Sequence, residues 1–155
     1  MNYKVAILMG SPNDADKMAP AATTLERYNI EADVRVMSAH RSPALVSDFT
    51  QTARQNGYSA IICGAGMAAH LAGAVAAHTT LPVIGVPLSG GAINGWDSLL
   101  ATVQMPKGIP VATVAVDGAM NAALLVVQIL AINDLNLVTQ LEAHRQEMVP
   151  QQGGK

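Results

Sequence analysis

Short apolar runs alternate with helix-length segments along the chain. Residues 5–9 are continuously apolar and stop at Gly10-Ser11-Pro12, the pattern of a buried strand ending in a turn. Residues 14–28 predict a helix capped by Asn13 or Asp14, with Met18, Ala21, Ala22 and Leu25 on its apolar face. Residues 32–37 alternate as a second strand. Pro43 then opens a helix ending near Asn56-Gly57, because a proline at the first helical position gives up no hydrogen bond. Residues 60–63 form a third strand, 64–66 a turn, and 67–77 an alanine-rich helix. Residues 82–87 and 110–115 predict two further strands with a short helix between them. Helices over 119–132 and on to about 148 close the pattern.

Strands separated by helices imply parallel pairing. Strands apolar on both sides imply a sheet covered on both faces. The expected fold is a three-layer α/β/α sandwich, a doubly wound, five-stranded parallel sheet of flavodoxin-like order. Residues 1–150 are expected to form a single domain and residues 151–155 a disordered tail.

With 155 residues, 50% hydrophobic and only 13% charged, the chain is no disordered segment. It is expected to carry apolar surface that another subunit covers. A net charge of −2 with no basic stripe excludes an electrostatic nucleic-acid footprint. No apolar run is long enough for a membrane span, and the first residues lack the pattern of a secretory leader, so the expected location is cytoplasmic. Cys63, the only cysteine, closes a buried strand and reads as an inert core thiol. The four histidines show no metal-ligand spacing, and His78 and His144 read as ordinary surface residues.

Three turns follow predicted strands: Gly10 to Asp14, Ser38 to Pro43 and Gly64 to His70. A parallel sheet places all strand carboxyl ends on one edge, so these turns should converge. Gly10-Ser11 before a helix suits an anion, and the Ser11 hydroxyl adds a donor. Asp14 suits a sugar hydroxyl, or caps the helix. Arg41 can grip a phosphate with two parallel hydrogen bonds, or form a surface ion pair. Gly64 and Gly66 permit close backbone approach to a ligand. His40 stands on a loop beside Arg41, whose charge favours a neutral imidazole ready to accept a proton. His70 is either a second polar group in the same cleft or a structural histidine. No Gly-Lys-Ser/Thr follows any glycine turn, so ATP hydrolysis is not expected.

Ser38-Ala39-His40-Arg41 followed by Pro43, and Gly64-Ala65-Gly66 with Ala68-Ala69-His70-Leu71, resemble the signatures of the N5-carboxyaminoimidazole ribonucleotide mutase family of bacterial purine (IMP) biosynthesis. Residues 82–87, Asp97-Ser98-Leu99-Leu100, Val103-Gln104-Met105-Pro106 and Asn121-Ala122-Ala123-Leu124 fit the same family. The resemblance implies a carboxyl transfer from the exocyclic nitrogen of an aminoimidazole ribonucleotide to ring carbon C4, with no cofactor, metal or ATP. It implies His40 as general acid/base and Ser11, Asp14 and Arg41 as ribose-phosphate contacts with Ser38 nearby. Gly64, Ala65, Gly66, His70 and Leu71 would wall the carboxylate and CO2 pocket. It also implies a homo-octamer.

Asn13 stands where the family usually has Ser, Met67 where many relatives have Gly, and Trp96 where an aliphatic is usual; the loop over 116–121 is short. Two rival readings are an aminoimidazole ribonucleotide carboxylase using free CO2 and a non-catalytic phosphate- or flavin-binding module. The second explains Ser11, Gly64 and Gly66 but leaves His40 without a role.

Overall fold

A computed structural model describes residues 2–150. Five strands form one parallel sheet: β1 (Lys4–Met9), β2 (Glu31–Val36), β3 (Tyr58–Gly66), β4 (Val83–Leu88) and β5 (Ala112–Thr113), in the order β2-β1-β3-β4-β5. That is the expected flavodoxin-like order. The helices are α1 (Ala15–Arg27), α2 (Pro43–Ala53), α3 (Leu71–Ala76), α4 (Trp96–Val103), α5 (Ala119–Ala131) and α6 (Leu135–Glu147).

Alternation along the strands builds two cores. Val5, Ile7 and Met9 of β1, with Ile62, Ile84, Val86 and Leu88, face α1, α5 and α6 through Met18, Leu25, Val126, Val127 and Leu137. Ala6 and Leu8, with Ile61, Cys63 and Val83, face α2 and α3 through Val46, Phe49, Leu71 and Val75. A strand sandwiched between helices buries both faces, hence the unbroken apolar runs. Pro43 is the first residue of α2, as expected.

Several expectations need correction. β2 lies at the edge, as the expected order requires, but it is not covered on both faces as expected: Val34 and Val36 are half exposed. β3 continues through Gly64, Ala65 and Gly66, which pair with Val86, Pro87 and Leu88 of β4 rather than forming the turn. The turn starts at Met67, with φ 51°, so α3 starts at Leu71 instead of residue 67. β5 shrinks to two residues, and α2 ends at Ala53. His144 is buried, because it lies seven residues after Leu137 and shares the inward face of α6. The expected tail over 151–155 lies outside the described residues.

Candidate active site

The carboxyl ends of β1, β2, β3 and β4 converge on a cleft of about 570 Å³. Ser11, Asp14, Ser38, His40, Arg41, Ala65, Gly66, His70 and Leu71, all expected from sequence, line it. Gly64 does not. It is buried one layer below, where a Cβ would sit 2.3 Å from Met18 Sδ, and its carbonyl accepts from Gly10 N–H at 3.2 Å. Gly64 thus lets α1 approach the sheet and pins the first turn.

The first turn differs from expectation in its capping. A short 3-10 turn, Pro12–Asp14, precedes α1, and Ser11 caps it by accepting from Asn13 N–H at 3.2 Å. Asp14 takes the cap position of α1, but its side chain makes no capping hydrogen bond, and Asn13 serves as donor rather than cap. Burial in the cleft wall pushes the Asp14 carboxyl above its ordinary range. The Ser11 backbone and the charges of Lys17 and Arg41 pull the other way.

The second turn is tied to itself. Ser38 Oγ accepts from Arg41 N at 3.1 Å and lies 3.4 Å from Arg41 Nε. Ser42 Oγ accepts from Ser38 N–H and donates to the Ser38 carbonyl, both at 3.1 Å. Arg41 Nη2 donates to the Gly10 carbonyl at 2.7 Å, bridging the first two turns in place of a surface ion pair. Its guanidinium therefore stands beside Ser11 with donors to spare.

The third turn folds tightly, with Ala69 N–H donating to the Met67 carbonyl at 2.8 Å and His70 N–H to the Ala68 carbonyl at 2.9 Å. It lifts His70 to face His40. Nε2 of His40 lies 2.8 Å from Nδ1 of His70, with the rings edge to face. At that distance one nitrogen donates and the other accepts, so a single proton sits between the facing atoms. His70 makes no capping bond to α3, so its ring serves the cleft.

Sequence reasoning missed the fourth turn. Ser89, Gly90 and Gly91 follow β4 and complete the cleft. The glycine pair after a buried strand was the available signal, since the rule that brought three turns together applies equally to the fourth. Lys17 Nζ donates to the Ser89 carbonyl at 2.5 Å and to its hydroxyl at 2.9 Å. Ser89 donates to the Asp117 carboxylate through its N–H at 2.9 Å and its hydroxyl at 2.5 Å. Burial acts to raise the Asp117 carboxyl, but the two Ser89 donors, aided by Lys17, hold it below the usual range.

A larger cavity of about 800 Å³ opens at the opposite edge of the sheet, lined by Arg54, His78, Thr80 and Pro110 among others. None of the expected site residues reaches it, and the Arg54 guanidinium is engaged with Thr80. Cys63 is buried, and burial pushes its thiol far up, as an inert core thiol requires. Among the described residues no group of three or more His, Cys, Asp or Glu side chains is placed to hold a metal ion.

A family model described as AIR carboxylase matches residues 4–151. A Pyrococcus abyssi protein named N5-carboxyaminoimidazole ribonucleotide mutase is 50% identical over 145 residues, covering 94% of this chain and 83% of its own. A Bacillus subtilis protein of the same name is 49% identical over 148 residues, covering 94% and 91%. The crystal structure of Treponema denticola PurE superposes with a TM-score of 0.84 at 26% identity, covering 96% of this chain and 95% of that one.

Proposed function

The chain belongs to the AIR carboxylase family, and from that premise we propose that its cleft converts N5-carboxyaminoimidazole ribonucleotide to the 4-carboxy isomer, with His40 moving the proton. The chain is an isomerase-type enzyme of purine biosynthesis acting on a small nucleotide. The observation that carries the residue assignment is the His40–His70 contact in a cleft that Arg41 and Ser11 also line.

In this reading Ser11 and Arg41 bind the phosphate, Asp14 accepts from a ribose hydroxyl, and Ser38 holds Arg41 in place. The ring then lies toward His40 and His70, against Ala65, Gly66 and Leu71, with Gly64 beneath. The carbamate N–C bond breaks and a proton reaches the nitrogen, leaving CO2 and a neutral amine. The electron-rich C4 attacks CO2, and the C4 proton leaves to restore aromaticity. One proton goes in and one comes out, which a single imidazole can serve in turn. His70, sharing a proton with His40, sets the tautomer in which His40 waits. The chemistry draws its electrons from the ring, so it is expected to need no metal and no cofactor.

The same reading includes residues 1–150 as one catalytic domain, a homo-octameric assembly and a cytoplasmic location. Apolar surface supports an assembly: Trp96, Leu100 and Val103 form a stripe at helical spacing on α4 and are exposed. No helix among the described residues is long and apolar enough to cross a membrane.

The deciding assay offers the purified chain either the carbamate substrate or aminoimidazole ribonucleotide with bicarbonate. Efficient turnover of the first with weak use of the second is expected. The reverse pattern would move the chain to the carboxylase reading, and turnover of neither would favour a binding module.

A further inference from the structure

We propose that Lys17, Ser89 and Asp117 form a clamp that fixes the turn after β4 against the N-terminal end of α1, with Lys17 a positioning residue for the nucleotide; this rests on the mutase reading above.

Three separate elements meet at Ser89. Lys17 stands in the first turn of α1, three residues after Asp14 and next to Met18, which is buried against Gly64. Asp117 lies between β5 and α5. Ser89 follows β4 and opens the Ser89-Gly90-Gly91 turn that lines the cleft. Lys17 Nζ donates to the Ser89 carbonyl at 2.5 Å and to its hydroxyl oxygen at 2.9 Å. The Ser89 N–H and hydroxyl donate to the two oxygens of the Asp117 carboxylate, at 2.9 and 2.5 Å. Every polar group of Ser89 is therefore engaged. Its hydroxyl proton goes to Asp117, which leaves none for a ligand. Ser89 acts through the backbone that it holds.

The backbone of Asp117 points to the same role. Its φ of 59° lies in the left-handed region that side-chain-bearing residues rarely enter. It is docked there by its own N–H, which donates to the Pro87 carbonyl of β4 at 2.9 Å, and by the Gly118 N–H, which donates to the Ala115 carbonyl at 2.9 Å. Asp117 is exposed, so burial of its side chain does not account for that conformation. Aiming both carboxylate oxygens at Ser89 does.

The clamp acts on binding. Gly90 and Gly91 have no side chains to anchor the turn, so the bonds at Ser89 hold it in place. Ser11 and Asp14, the phosphate and ribose contacts of the reading above, precede the helix that carries Lys17. Lys17 thus ties the nucleotide-binding end of α1 to another wall of the same cleft, and its charge draws both Asp14 and Asp117 toward the ionised form. A wall already in place spares the nucleotide the cost of ordering it.

The test combines steady-state kinetics on the carbamate substrate with hydrogen exchange of the free chain over residues 89–91. Lys17→Met is expected to raise KM several-fold with kcat little changed, and to speed exchange of the turn. Lys17→Arg, which restores a cation with donors for Ser89, is expected to recover both. Asp117→Asn separates the clamp from simple charge, and asparagine tolerates the same left-handed backbone. Removing a negative charge from the edge of a cleft for an anionic nucleotide would by itself lower KM, whereas loosening Ser89 raises it; a rise is expected. Combining Lys17→Met with Asp117→Asn is expected to raise KM by less than the product of the two single effects, because both act through Ser89. Native or lower KM in Asp117→Asn, single effects that multiply, or native exchange over residues 89–91 in Lys17→Met would each overturn the clamp. A native chain that fails to turn over the carbamate would remove the mutase reading, while the exchange measurement would still uphold or overturn the clamp.

Discussion

His40 and His70 stand 30 residues apart in sequence and 2.8 Å apart in space. His40→Asn is expected to lower kcat by about 10²–10⁴-fold, the usual worth of a general acid/base, with nucleotide affinity nearly unchanged. His70→Phe keeps an aromatic ring but removes the nitrogen facing His40. It is expected to cost less, about 10–100-fold in kcat, as befits the loss of one hydrogen bond to a group that becomes charged. Steady-state kinetics with calorimetric binding checks both, and activity of His40→Asn within about tenfold of native would exclude the acid/base role. Arg41 bonds the Gly10 carbonyl through one amino group and keeps its other donors for the cleft. Arg41→Lys retains the charge but loses the planar fork. It is expected to weaken binding of the nucleotide much more than of the dephosphorylated nucleoside, and equal losses in titration would show that Arg41 does not meet the phosphate.

At the scale of elements, the edge position of β2 decides its chemistry. Its side chains on the α2 face are polar, and they pair with one another instead of entering the core. The Asp33 carboxylate accepts from Arg35 Nε at 2.9 Å and from the Tyr58 hydroxyl, and Arg35 lies over the Phe49 ring at 4.9 Å. Partial burial acts to raise the Asp33 carboxyl, but these two donors outweigh it and hold the group below its usual range. A depressed carboxyl contributes stability above its unfolded pKa of roughly 3.9 and loses it as pH falls through the folded value. Asp33→Asn is therefore expected to cost about 1 kcal/mol at neutral pH, or about 2–4 °C in Tm. The gap from the native chain should close as the solution is taken below roughly pH 4. Thermal melts across pH read it directly; a gap that persists or widens in acid would contradict the assignment.

For the whole molecule, scarcity of charge is the governing quantity. Only 13% of residues are charged, and the fold leaves Ile93, Trp96, Leu100, Val103, Ile132 and Leu135 exposed. The apolar α5 is covered within the chain by the sheet, α1 and α6. The exposed α4 stripe is the surface proposed above to meet another subunit. Light scattering on the purified chain is expected to give a mass eight times that of one chain. A stable monomer would remove the assembly, and a dimer or tetramer would remove only the octamer. Trp96→Glu, which places a charge in the stripe, is expected to lower the assembled mass.

Hydropathy by itself determined the layered architecture, because a strand covered on both faces must be apolar throughout and a helix lying on a sheet must carry a 3.6-residue stripe. Val5 to Met9 and Ile61 to Cys63 carry that message in any context. Topology then brings three candidate turns together, since parallel strands share one carboxyl edge. Local pattern misled where neighbours decide. Gly64 to Gly66 look like a turn but become strand because β4 offers a partner, and His144 looks like a surface residue but shares the inward face of Leu137. The Asp14 side chain was free to cap its helix, but Ser11 capped the preceding 3-10 turn and left Asp14 in the cleft wall. Contacts between distant side chains lay wholly beyond the sequence. Periodicity has no term for a proton shared by His40 and His70 or for Lys17 and Asp117 meeting at Ser89. Those distances are set by how four turns close over one edge, and only the packed tertiary structure fixes them.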